Sequence, residues 1–108
     1  MIYTLTFNPA IDYVMYPQSL DLGVTNRSAR EEYFIGGKGI NVSLVLRELD
    51  MPSVALGFTA GFTGAAIEEY MKNEGVSCDF VRLSEGFTRI NLKIKGEEET
   101  ELNGSARR

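Results

Sequence analysis

Histidine is absent from this sequence, and cysteine occurs once, at Cys78. The first absence removes nucleophile systems built on Ser-His or Cys-His pairs and the commonest zinc ligands. The second removes any internal disulfide, so nothing points to an oxidising compartment. A lone cysteine is more often a small buried hydrophobe than a reactive thiol, and Cys78 is read that way. Positive charge is also short, since 11 Lys and Arg against 15 Asp and Glu leave a net charge of −4. Nucleic acid and anionic membranes both select a basic face, so neither is expected as a partner. A local basic pocket for a small anion is still compatible with that balance. The N-terminal "MIYTLTFNPAID" has no basic leader and meets an acid at Asp12. Neither a signal peptide nor a membrane span is expected, and the protein is placed in the cytoplasm. Asn-x-Ser triplets at Asn26, Asn41 and Asn103 carry no glycosylation on this reading.

What is present suits one small soluble domain of 108 residues, with 44% apolar and 24% charged side chains. "IYTLTF" (2–7) reads as a buried strand ended by "NPA", and "DYVMY" (12–16) as a second strand stopped by Pro17. Residues 27–34 form a third strand with polar exposure. Val42, Val45, Leu46 and Leu49 then fall on one face of a helix, with Arg47 and Glu48 opposite, and Met51-Pro52 ends it. "SVALGF" (53–58) is a buried strand and "TAGFTG" a loop. Thr63 is expected to cap a second helix, with Ala66, Ile67, Tyr70 and Met71 inward and Gly75 as its stop. "CDFVRL" (78–83) is a further strand. Residues 88–95 alternate apolar and polar side chains, which predicts an antiparallel sheet with one solvated or ligand-facing side. "GEEET" reads as a turn, "ELNGSARR" as a trailing end, and Arg107 and Arg108 as solvated tail residues. The β-α-β portion implies a parallel sheet with covering helices, so the fold class is α/β with a small second sheet.

The segment "FIGGKGINVS" (34–43) concentrates the chemistry. Gly36, Gly37 and Gly39 permit close backbone approach to a ligand and positive φ. A helix starting near Lys38 presents unpaired N–H groups and the positive end of its dipole, and Lys38 adds a mobile cation. Asn41 can donate to and accept from hydroxyls. Two phosphate motifs are excluded. A Walker A loop needs Ser or Thr after its Lys, and Gly39 stands there; a dinucleotide fingerprint needs a third Gly where Val42 stands. The loop alone is equally a tight strand-to-helix turn with no ligand. Asp12, placed at the end of the first strand, could hold sugar hydroxyls where open α/β sheets bind ligands. By itself such an Asp is more often a turn residue, and Arg89 and Arg27 taken singly are more often surface charges.

Taken together, "LTFNPAIDY", "LGVTNRS", "GGKGINVS", "LGFTAGFTG" and "TRINLKIK" resemble, in the right order, the N-terminal part of a phosphosugar kinase of the PfkB, ribokinase-like family. The resemblance runs from Met1 to about Gly104. It implies the N-terminal part of a three-layer α/β/α fold, with a small β-sheet lid built from strands near 12–16, 27–34 and 88–95. It also implies roles. Asp12 would bind sugar hydroxyls, Gly37 and Lys38 would line the substrate end of the pocket, and Asn41 would bind the sugar. Arg89 would pair with the phosphate already on the substrate, and Arg27 in the lid would assist, across a homodimer formed through that lid. The implied substrate is a phosphorylated ketose, fructose 1-phosphate, converted to the 1,6-bisphosphate with ATP and Mg²⁺. Alternatives are a tagatose-6-phosphate kinase of the same family, a non-catalytic phosphosugar-binding or self-association module, and a truncated remnant.

Three departures accompany the resemblance. Asp50 stands where the family usually carries a small Gly or Ser, and Ala60 where it often has Gly. The family's Gly-x-Gly-Asp motif, with its base and anion hole, and the ATP pocket are absent from residues 1–108. No catalytic residue and no metal ligand is therefore assigned here, and the isolated segment is expected to be inactive as a kinase. Its incomplete sheet is expected to leave an open face and edge that favour association.

Overall fold

The computed structural model describes residues 1–105. The expected tail at Arg107 and Arg108 lies outside the described residues. Nine elements follow in order: β1 (Ile2–Thr6), β2 (Ala10–Pro17), β3 (Ser28–Gly36), α1 (Lys38–Glu48), β4 (Ser53–Ala60), α2 (Gly61–Asn73), β5 (Ser77–Leu83), β6 (Arg89–Lys95) and β7 (Glu99–Asn103). They build two sheets. The first is parallel, in the order β1-β4-β5. Its strand order moves steadily one way, so crossovers of one hand place successive helices on the same face. Both helices are found there, α1 against β1 and β4, α2 against β4 and β5. The core lies between them and the sheet, built from Ile40, Ala55, Ile67, Met71, Val76 and Phe80, with Ile35 reaching in from β3.

The buried face of α1 differs from the expected one. Val42 is 48% exposed and Val45 58%, whereas Ile40 and Ser43 are fully buried and Leu44 packs on the core. The helix carries apolar residues on two sides, and close approach decides between them. A Cβ on Gly39 would lie 2.5 Å from the Leu5 carbonyl oxygen, so the Gly39–Ser43 side sits almost against β1. The buried hydroxyls there satisfy one another, Thr4 Oγ1 to Ser43 Oγ at 2.6 Å and Ser53 Oγ to Ser43 Oγ at 2.8 Å. Arg47 consequently lies on the core side, pairing with Glu74 at 3.5 Å, and is not opposite it.

The corner from β4 to α2 also departs from expectation. No loop intervenes; β4 runs to Ala60 and α2 begins at Gly61. Thr63 is inside the first turn, and its hydroxyl donates to the Thr88 carbonyl at 2.6 Å instead of capping the helix. Gly75, with φ of 78°, does end α2. Ile67 and Met71 are buried as expected, while Ala66 is exposed.

The second sheet has the order β3-β2-β6-β7. The antiparallel partner expected for β6 is β7, in the stretch read as a turn and trailing end. Its other neighbour, β2, runs parallel to it. Strand β7 is exposed throughout, and it carries no burial signal that would mark it in the sequence. Cys78 on β5 behaves as a structural side chain; burial pushes its thiol up to about 11, with Glu68 adding to the effect. No helix among the described residues is long and apolar enough to cross a membrane.

Candidate functional site

Paired residues of neighbouring strands share a face, and successive residues alternate. On one face of the second sheet the register therefore aligns Gly36, Ala10 and Arg89 in one row. The next row holds Phe34, Asp12, Asn91 and Asn103, and the next Glu32, Val14, Lys93 and Glu101. This face is polar. The opposite face carries Ile11, Tyr13, Tyr33, Ile90, Leu92 and Leu102.

Asp12 does not end the first strand. It lies inside β2, where its carboxylate accepts a hydrogen bond from Asn91 Nδ2 at 3.0 Å. The other carboxylate oxygen lies over Gly36, where a Cβ would come within 2.7 Å of it. Gly37 follows with φ of 134°, and a Cβ there would meet Thr6 Cγ2 at 2.5 Å. The three glycines thus serve first to let the chain lie against Asp12 and β1; the expected close approach to a ligand is not their whole explanation.

The loop delivers α1 N-terminus first. Gly37 offers no capping side chain, and Thr6 Oγ1 of β1 takes over by accepting from the Ile40 N–H at 3.0 Å. The N–H groups of Lys38 and Gly39, one turn too early for partners within the helix, remain at its positive end. Lys38 opens the helix directly after the glycines, and Asn41 is exposed on the same first turn.

Arg89 is held by its neighbour. Thr88 exchanges two hydrogen bonds with Ala60, donating its N–H to the Ala60 carbonyl at 2.9 Å and accepting the Ala60 N–H on Oγ1 at 3.0 Å. Together with Thr63 this fastens the start of β6 to the end of β4. Arg89 Nε is buried without a hydrogen-bond partner, a costly state that an incoming anion would relieve.

The register thus brings Asp12 and Arg89 to one end of the polar face, where Gly36 leads into Gly37 and Lys38, and Asn41 is exposed on the first turn of α1 that follows. Arg27 is not among them. It precedes β3, whose far end pairs Ser28 with Pro17, about 25 Å along the strand from Gly36 at the usual rise per residue. Asn91 and Thr88 went unremarked as individual residues in the sequence. The only signal of Asn91 is its place among the alternating polar positions of "TRINLKIK"; Thr88 falls in phase with the apolar positions and carries no such signal.

The profile of the pfkB family of carbohydrate kinases matches residues 5–105. The chain belongs to that family. Among curated relatives, 1-phosphofructokinase of Bacillus subtilis is 44% identical over 104 residues, covering 96% of this chain and 34% of the relative. D-tagatose-1-phosphate kinase of Bacillus licheniformis is 43% identical over 102 residues, covering 94% and 33%. Among solved structures, a phosphofructokinase from Staphylococcus aureus superposes with a TM-score of 0.92 at 46% identity, over 99% of this chain and 35% of that one. Escherichia coli phosphofructokinase-2 in complex with fructose-6-phosphate gives 0.79 at 27% identity, over 97% and 36%. The chain therefore spans about a third of the length of the pfkB kinases it matches. The ribokinase-like fold expected from the sequence is the fold of these neighbours, and the described residues contribute three parallel strands, the two helices on one face of them and the four-stranded second sheet.

Proposed function

We propose that this chain is the sugar-binding part of a kinase that transfers a phosphoryl group from ATP to a ketohexose phosphate, converting fructose 1-phosphate to fructose 1,6-bisphosphate. The observation that carries this reading is the convergence on one polar face of a carboxylate, Asp12, with Arg89 and its unpartnered Nε, beside the cationic N-terminal turn of α1. A carboxylate accepts from sugar hydroxyls, and a guanidinium with a helix N-terminus suits a phosphate. On this reading Asp12 and Asn41 orient the sugar, while Lys38 and Arg89 hold its existing phosphate. Phosphoryl transfer depends mainly on such positioning and on charge stabilisation. The described residues hold no group of three or more His, Cys, Asp or Glu side chains that could bind a metal ion. ATP and Mg²⁺ are implied by the family; no residue is assigned to them here, and no catalytic base is assigned.

The apolar face of the second sheet suits a homodimer in which two lids meet. Arg27, remote from Asp12 within one chain, would then reach the sugar site of the other copy. A second reading has its own support, because relatives named for D-tagatose 1-phosphate match at 43% and 40% identity. Tagatose differs from fructose at one carbon, which Asp12 or Asn41 would have to read. The test is ADP production by the complete enzyme with fructose 1-phosphate, tagatose 1-phosphate and tagatose 6-phosphate. The highest kcat/KM is expected with fructose 1-phosphate. A preference for either tagatose phosphate would replace the substrate, and no activity with any ketose phosphate would leave the binding-module reading.

A further inference from the structure

Asp12 is oriented from two sides by groups that themselves have little freedom. Asn91 Nδ2 donates to Asp12 Oδ1 at 3.0 Å, and Asn91 Oδ1 accepts the Gly104 N–H at 3.2 Å. The second bond removes the ambiguity of an amide, because only Nδ2 can then face the carboxylate. Gly104 is itself anchored, its N–H also directed to the Ile90 carbonyl at 3.1 Å. A Cβ on it would lie 3.0 Å from Arg89 Cβ, so the chain at 104 lies against the β6 backbone. On the other side, Gly36 leaves the space that Oδ2 occupies.

We infer that Asn91 is a positioning residue for sugar binding, and that with Gly36 it fixes the rotamer in which Asp12 presents Oδ2 to a sugar hydroxyl. This deepens the proposed function and rests on it. Asn91 does not touch the substrate. It occupies Oδ1 with a donor, so the free acceptor of Asp12 faces the Gly36–Lys38 loop where the sugar would lie. The backbone at Gly104 is thereby tied to the geometry of sugar recognition. Loss of the amide would let the carboxylate rotate toward solvent, and a methyl at position 36 would push Oδ2 out of its place.

The test is steady-state kinetics of the complete enzyme and its Asn91→Leu, Gly36→Ala, Asp12→Asn and Asp12→Asn/Asn91→Leu variants. Asn91→Leu is expected to raise KM for the sugar phosphate about tenfold, the usual effect of losing a hydrogen bond to a charged group. KM for ATP and the thermal midpoint should stay close to wild type. Gly36→Ala should show the same split by a different route, which keeps the inference testable if Asn91→Leu fails to fold. In the Asp12→Asn background, Asn91→Leu should add little, because both changes act through one carboxylate. Equal effects on both KM values, full additivity in the double variant, or an unchanged sugar KM in Asn91→Leu or Gly36→Ala would overturn it. A wild-type enzyme inactive on every ketose phosphate would instead defeat the proposed function on which the inference rests.

Discussion

Both helices end on a residue in the left-handed region, and only one of those residues is glycine. After α2, Gly75 has φ of 78°; after α1, Asp50 has φ of 57°. The hydrogen bonds are the same in kind. Asp50 and Met51 donate to Arg47 and Leu46, as Gly75 and Val76 donate to Lys72 and Met71. An L side chain in this region crowds its own carbonyl, and glycine does not. Asp50→Gly is therefore expected to stabilise the protein by about 0.5–1 kcal/mol, the gain left after glycine's extra freedom in the unfolded chain. A higher denaturant midpoint would show it, and a lower one would count against the cap. Glycine, one of the two residues the resemblance leads one to expect where Asp50 stands, would thus have a conformational reason, whereas Ser would not. Asp12, Lys38 and Arg89 stand out as candidates in the sequence for another reason, since each falls in a segment that carries the family resemblance. Asn91, in one of the same segments, does not, because its partner is 79 positions away and either end of its amide could have faced it.

Among the elements, those with a strong local pattern were read correctly and those fixed by tertiary contact were not. Strands β1, β4 and β5 are short apolar runs rich in branched residues, and they form the parallel sheet. Helix α1 was placed but turned wrongly, because its two candidate faces differ less in hydrophobicity than in how closely the backbone can approach β1. Strand β7 was missed because its stability comes from pairing with β6 and not from burial. The junction at Thr88 belongs to this scale, since it joins β6 of one sheet to β4 of the other. Thr88→Val keeps the shape of the side chain but leaves the Ala60 N–H without its acceptor. The expected cost is about 1–3 kcal/mol, seen as faster amide exchange at Ala60 and a lower thermal midpoint. Unchanged exchange at Ala60 would show that the two sheets are held together by other contacts.

At the scale of the whole molecule, one face of the parallel sheet exposes large apolar side chains. Both helices cover the same face of the parallel sheet, so Tyr3 (64% exposed), Leu5 (53%) and Phe7 (64%) point away from them on the bare face. The radius of gyration is 15.5 Å, where a compact domain of this length would have about 13 Å. Relatives about three times as long have the sequence to cover such a face. Prepared alone, residues 1–108 are expected to self-associate in a concentration-dependent way during sedimentation. A monomer with a cooperative thermal transition would show that the bare face is tolerated. The proposed sugar site lies on the other surface, at one end of the polar face of the second sheet. It is tested most directly by calorimetric titration of the complete enzyme with fructose 1-phosphate, without ATP, in wild type and Arg89→Ala. Binding that weakens by about tenfold or more on loss of the guanidinium is the predicted result; equal affinity in the two proteins would contradict the placement of the sugar phosphate at Arg89.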